Sequence, residues 1–229
     1  MRTVVLCGSL GSTHEMWERQ LGALGRGFQV VTIDHPGHGG APLVDVREVA
    51  DLAQRVLETV EAESFSLVGL SLGGAVGMQL ALSAPQRIER LALCCTAARF
   101  GEPELWVERA ALVRAEGLEA IVDLVLPRWF SPGFPDLPRY REMFLSTDPE
   151  GYGRCCDALA RWDARKELAR IAAPTLVVSG ADDPSAPPEY GELLASRIPG
   201  ARHQVIPGAR HLANVEHADE VNRLLVEHL

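Results

Sequence analysis

The sequence lacks the features that mark several large classes of protein. No apolar run reaches membrane-spanning length, which argues against an integral membrane protein. The first residues, "MRTVVLCGSLGS", hold too short an apolar stretch for a secretory leader, so none is expected. No Cys-x-x-Cys spacing occurs, so no zinc-type metal site is expected. There are five cysteines, an odd number, and four stand as the neighbours Cys94, Cys95 and Cys155, Cys156. Neighbouring cysteines seldom satisfy disulfide geometry, so free thiols in a reducing cytoplasm are expected. Positive charge is in deficit, with 22 Lys and Arg against 31 Asp and Glu and a net charge of −9. Such a surface repels phosphate backbones and anionic lipid, which disfavours nucleic-acid and membrane-surface roles. An anionic substrate would need a local cationic pocket. No internal repeat and no low-complexity tract is present.

What is present is a chain of 229 residues, 47% apolar, which fits one globular domain carrying an inserted segment. Short β-branched runs recur at Thr3 to Cys7, Phe28 to Asp34, Ser64 to Gly69, Arg90 to Cys95, Pro174 to Gly180 and His203 to Pro207. They are near-continuously apolar, as in parallel strands covered on both faces. Helical patterns lie between them. Trp17, Leu21 and Leu24 share one face, and Val49, Leu52, Ala53, Val56, Leu57 and Val60 form a longer stripe. Leu72 to Leu82 is almost wholly apolar, so that helix is expected to be central, and Val215 to Leu229 closes the chain as a helix. This alternation predicts an open, mostly parallel α/β sheet with helices on both faces. It breaks between about Ala97 and Arg165, where most of the aromatics sit and no strand is evident. That segment is expected to be a helical cap over the sheet, within a single domain spanning 1–229. Its stretch "LPRWFSPGFPDLPRY" reads as a loop or hinge between short helices.

One stretch carries chemistry. In "VGLSLGGAVG", Ser71 stands between Gly69 and Gly73, after a strand and before a helix. G-x-S-x-G alone is common, but this context is that of a nucleophile elbow, where a strained turn exposes a hydroxyl. Gly69 and Gly73 allow the close backbone approach, and the helix N-terminus favours a developing oxyanion. A serine needs a base, and in this topology an acid and then a histidine should follow on loops after strands. "SGADDPSAPP" supplies Asp183 through its G-x-x-D spacing, with Asp182 as the alternative. "VIPGARHLANVEH" supplies His211, between the last strand and the final helix. His203 begins a strand and His217 falls on the helix, while His14, His35 and His38 come too early in the chain for the base. The oxyanion donors are then the backbone N–H groups of Leu72, next to the serine, and Leu10, in the small-residue loop after the first strand.

With these parts in order, the chain resembles the α/β-hydrolase superfamily. More narrowly, "SLGST", "MWERQL", "DHPGHG", "GLSLGGAVG", "LCCTAARFG", "RWF", "TDPEGYGRCCDAL" and "ARHLANVEHAD" are similar to the bacterial 3-oxoadipate enol-lactonases of aromatic-compound degradation and the β-ketoadipate pathway. The resemblance implies a cofactor-independent serine hydrolase that opens a small anionic lactone. It also implies substrate contacts from the cap, with Arg128 for a carboxylate and Trp129 as an aromatic wall. Two departures stand out. Relatives usually carry a hairpin ahead of the first strand, and this sequence starts almost at that strand, so an open sheet edge is expected. Pro36 stands where relatives usually have an arginine. The same triad would serve a carboxylesterase, a carbon–carbon bond hydrolase or a non-catalytic ligand receptor on the same scaffold, and the residues alone do not separate these.

Overall fold

The computed structural model describes all residues, Met1–Leu229. Six strands form one sheet: β1 (Arg2–Cys7), β2 (Phe28–Ile33), β3 (Phe65–Leu70), β4 (Ile88–Cys94), β5 (Thr175–Gly180) and β6 (Arg202–Ile206). Their spatial order is β2-β1-β3-β4-β5-β6, and every neighbouring pair is parallel. Pairings such as Leu6 with Val68 and Leu93 with Val177 bring the C-terminal ends of the strands to one rim. Ten α-helices connect and cover the sheet. In chain order they are α1 (Glu18–Leu24), α2 (Val49–Thr59), α3 (Leu72–Ser83), α4 (Pro103–Glu116), α5 (Val122–Trp129), α6 (Leu137–Leu145), α7 (Pro149–Arg161), α8 (Pro188–Arg197), α9 (Ala213–Glu216) and α10 (Ala218–His228).

Burial follows position in the sheet. All six residues of β3 are buried, as are all six of β5. The edges differ: β6 exposes Arg202, Gln204 and Val205, and most of β2 is only half-buried. Both are edge strands, and the coverage on both faces expected from their apolar runs does not hold at these ends of the sheet. The helix α3 is central, with nine residues from Leu72 to Ala81 buried. It packs so tightly against the sheet that a Cβ on Gly73 would stand 1.9 Å from the Cys7 carbonyl oxygen.

Three local expectations are corrected. Leu21 is exposed and Gln20 takes the buried place beside Leu24. Trp17 lies in a separate 3-10 turn (His14–Trp17), so it is out of phase with α1. Gln20 is tolerated inside because its amide donates to Asn214 O at 2.8 Å and to Asn222 Oδ1 at 3.1 Å. Next, "LPRW" is not loop but the end of α5, which runs over Pro127. Burial of Val125, Leu126 and Trp129 holds that turn despite the missing N–H. Last, the closing helix is broken, and His217 stands at the break between α9 and α10.

Helices α4 to α7 form an insert between β4 and β5. Its two stems are joined where Trp162 Nε1 donates to Ala97 O at 3.1 Å and Ala164 N to Ala98 O at 2.8 Å. Inside it, Phe130 stacks on Phe134 with centroids 4.3 Å apart, and Phe144 meets Trp129 and Tyr152 edge-on at 5.6 Å each. The sheet order reverses between β1 and β3, which leave in opposite directions. In open α/β sheets the crevice outside such a switch point is where ligands bind.

Candidate active site

Ser71 sits at that crevice. It follows β3 directly and has φ 57° and ψ −114°, a left-handed conformation that costs a non-glycine residue of order 1–3 kcal/mol. The turn is held from several sides. Ser71 N donates to Cys94 O at 3.0 Å, and Thr96 Oγ1 donates to Ser71 O at 2.7 Å. A Cβ on Gly69 would lie 2.2 Å from the Gly73 carbonyl oxygen, so the strand and helix can meet this closely only through glycine.

His211 and Asp183 arrive on the loops after β6 and β5. Nδ1 of His211 lies 2.8 Å from Oδ2 of Asp183, and both side chains are buried. The other carboxylate oxygen accepts from Ser185 N at 2.8 Å and Ala186 N at 3.1 Å. Burial alone would raise the Asp183 pKa, but His211 and the two amides outweigh it and hold the carboxyl below its ordinary value. Asp182, the alternative, is exposed. A carboxylate accepts, so the Nδ1 of His211 carries the proton and its Nε2 is left with a lone pair. His203 is engaged elsewhere, with Nε2 3.0 Å from Ser179 Oγ.

The backbone N–H groups of Leu10 and Leu72 have no acceptor within the protein. For Leu72 this follows from its place at the first turn of α3. The loop carrying Leu10 is tied to the elbow through Gly73 N, which donates to Gly8 O at 3.0 Å.

Ser71, His211 and Leu10 line one cavity, which the insert roofs with Trp106, Arg109, Val125, Arg128, Trp129 and Tyr152. Trp129 is 3% exposed and presents a wall, while Arg128 is largely solvent-accessible. The end of α5 is stitched to the histidine loop, because His211 N donates to Arg128 O at 3.3 Å and Leu212 N to Trp129 O at 3.1 Å. Glu216 adds a second bridge, accepting from Ser131 N at 2.7 Å and Arg210 N at 3.4 Å. Arg109 was not evident from sequence. It is half-buried, lies 5.0 Å over the Trp106 ring and flanks the buried Tyr152, whose hydroxyl pKa is pushed up by burial. A tryptophan and an arginine three apart on one helix share a face, and this spacing is the one signal that points to the pair. Neither Arg109 nor Arg128 forms an ion pair with a carboxylate. No three His, Cys, Asp or Glu side chains are grouped as metal ligands would be.

A parallel sheet with a strained serine at its switch point, backed by a buried acid–histidine pair, defines a class of hydrolytic fold. The chain belongs to the alpha/beta hydrolase family, whose model matches residues 4–224. It is 35% identical to 3-oxoadipate enol-lactonase 2 of Acinetobacter baylyi over 96% of this chain and 85% of that one. Among solved structures, the enol-lactonase of Burkholderia xenovorans LB400 superposes with a TM-score of 0.95 at 40% identity, covering 99% of this chain and 90% of the other. A thermophilic esterase from Thermogutta terrifontis, solved with malate bound, gives 0.91 at 30% identity, covering 99% and 89%.

Proposed function

We propose that this hydrolase opens a small anionic lactone, 3-oxoadipate enol-lactone, to the keto-diacid through an acyl-enzyme on Ser71. The observation that carries the substrate class is the charge of the cavity. In a protein of net charge −9, two arginines without acidic partners, Arg109 and Arg128, flank the cavity that holds Ser71. Unpaired guanidinium groups beside a reacting centre suit a carboxylate, which they bind in a bidentate fork. Similarity to enol-lactonases supports the same reading, as does an esterase relative that holds malate, a dicarboxylate.

The mechanism follows from the tautomer. Asp183 keeps the His211 proton on Nδ1, so Nε2 accepts the proton of Ser71 as Oγ adds to the lactone carbonyl. The N–H groups of Leu10 and Leu72 stabilise the oxyanion. The ring C–O bond breaks, and the departing enol oxygen takes the proton back from Nε2. The enol tautomerises to the ketone. Water, losing its proton to Nε2, then releases the product and restores Ser71. The insert acts as the cap in this scheme, with Arg109 or Arg128 on the substrate carboxylate and Trp129 beside the ring. No metal or organic cofactor takes part in these steps.

The test is a substrate panel of 3-oxoadipate enol-lactone, the same lactone with its carboxylate methylated, and a simple aryl acetate. A kcat/KM for the free acid at least about tenfold above its methyl ester fits the typical strength of one charged hydrogen bond. Equal turnover of acid and ester would leave a hydrolase of neutral esters in its place.

A further inference from the structure

The loop His35–Gly39, between β2 and α2, makes contacts that the mechanism above does not use. His38 is 0% exposed. Its Nδ1 lies 3.0 Å from Pro36 O, and a carbonyl only accepts, so Nδ1 carries a proton. Its Nε2 lies 3.0 Å from Gly11 N, and an amide N–H only donates, so Nε2 offers its lone pair. The two contacts fix a single neutral tautomer. Burial, and then the neighbouring His35, lower the His38 pKa to about 3, which agrees with a ring that stays uncharged. His35 stands edge-on at 5.8 Å and donates from Nε2 to Gly8 O at 2.9 Å. The two histidines therefore grip both ends of the segment Gly8–Gly11, whose middle carries the Leu10 N–H.

The Gly11 amide belongs to the peptide just after Leu10. Holding its N–H fixes the plane after Leu10. The Leu10 N–H itself lies in the Ser9–Leu10 peptide, whose carbonyl accepts from Ser12 Oγ at 2.7 Å and Ser12 N at 3.2 Å, and the Gly8 carbonyl anchors the plane before that. The grip also reaches the insert. Gly37 O accepts from Asp148 N at 2.7 Å, and a Cβ on Gly37 would lie 2.9 Å from Gly151 Cα. The segment is wedged on that side too, since a Cβ on Gly11 would stand 2.6 Å from the Phe144 ring.

We propose that His38 is the positioning residue of the oxyanion loop: its neutral Nε2 accepts the Gly11 N–H and so aims the Leu10 N–H at the reacting carbonyl oxygen. The proposal rests on Ser71 being the nucleophile. With the acceptor removed, the Gly11 N–H is left buried without a partner. A new acceptor for that N–H requires a change in the Leu10 ψ, and the displacement of the Leu10 Cα that goes with it moves the Leu10 N–H off the oxyanion position.

The test compares wild type, His38→Leu and His38→Gln in hydrolysis of an aryl acetate and in inhibition by an alkyl trifluoromethyl ketone. Ser71 Oγ adds to the ketone carbon, its proton passes to His211 Nε2, and the ketone oxygen becomes an alkoxide where the oxyanion would stand. His38→Leu should lose about 10²-fold in kcat, at the lower end of what loss of one oxyanion donor costs, with KM within about twofold. The ketone Ki should rise by the same factor. His38→Gln, whose amide oxygen reaches the place of Nε2, should recover most of both. A merely structural role would lower the melting temperature and the active fraction, but would leave kcat per active site and Ki unchanged; that result overturns the proposal. A wild type that the ketone does not inhibit overturns the nucleophile reading and the proposal together. If His38→Leu does not fold, the ¹⁵N shifts of the wild-type His38 ring decide: a protonated Nδ1 with bare Nε2 supports the proposal, and a protonated Nε2 overturns it.

Discussion

Asp183 holds His211 with one carboxylate oxygen and its own loop with the other. The 2.8 Å contact from Oδ2 to Nδ1 joins two side chains that are at most 5% exposed, while Oδ1 takes the Ser185 and Ala186 amides. The carboxylate cannot swing without breaking backbone bonds, so the imidazole is held in one tautomer facing the cavity.

Asp183→Asn should therefore lose about 10³–10⁴-fold in kcat, the scale seen when a triad acid is amidated and the histidine takes the wrong tautomer. Asp182→Asn, at an exposed position, should stay near wild type. Steady-state rates on an aryl acetate check both. Equal loss in the two variants would contradict the assignment.

The same carboxylate makes a pH prediction. The folded Asp183 pKa lies below its ordinary 3.8, so its ionised form stabilises the fold above that value. The contribution is lost as pH falls through the depressed folded value. Urea unfolding of wild type and Asp183→Asn from about pH 6 to about pH 3 should show the wild-type advantage shrinking at the acid end, below the ordinary aspartate range near 3.9. A constant difference across that span would show that Asp183 does not titrate with folding.

For the cavity arginines, Arg109→Ala and Arg128→Ala are compared on the free-acid lactone and on its methyl ester. The variant that removes the carboxylate contact should lose roughly 1.5–3 kcal/mol in transition-state binding, about one to two powers of ten in kcat/KM, on the acid alone. Losses of equal size on both substrates would assign the residue to the structure of the insert.

Glycine substitutions separate tight approach from mere flexibility. Gly73→Ala would press a Cβ to 1.9 Å of a backbone oxygen, so a loss of about 3 kcal/mol or more is expected, at or beyond the usual cost of overpacking. Gly22→Ala, in α1 with nothing within 4 Å, should gain roughly 0.5–1 kcal/mol from helix propensity. Thermal melts of the two variants measure both effects, and a neutral Gly73→Ala would show that the elbow can relax.

Much of the fold was legible because its signals are local. The apolar runs of β1, β3, β4 and β5 and the glycine-boxed serine before an apolar helix each fit within about ten residues. Asp183 is marked by its offset from the end of β5, and the structure places it, and not Asp182, on His211. Other features depend on contacts that no local pattern shows. Leu21 looked buried because the 3-10 turn that shifts the phase of Trp17 has no distinct pattern. Arg109 lies on α4, where only Ala110 and Val113 are buried, so no apolar stripe shows which face meets the cavity. His35 and His38 come too early in the chain for the base, and their contacts to Gly8 and Gly11 span 27 residues each. The edge position of β6 likewise comes from strand order, not from its own composition.

The central claim is that Ser71 is the nucleophile, and side-by-side turnover of 3-oxoadipate enol-lactone by wild type and folded Ser71→Ala tests it most directly. Wild type should hydrolyse the lactone, and Ser71→Ala should be slower by about 10³-fold or more, retaining only what the oxyanion donors and binding supply. Turnover by folded Ser71→Ala within about tenfold of wild type, a difference of only ~1.4 kcal/mol in the barrier, would contradict it.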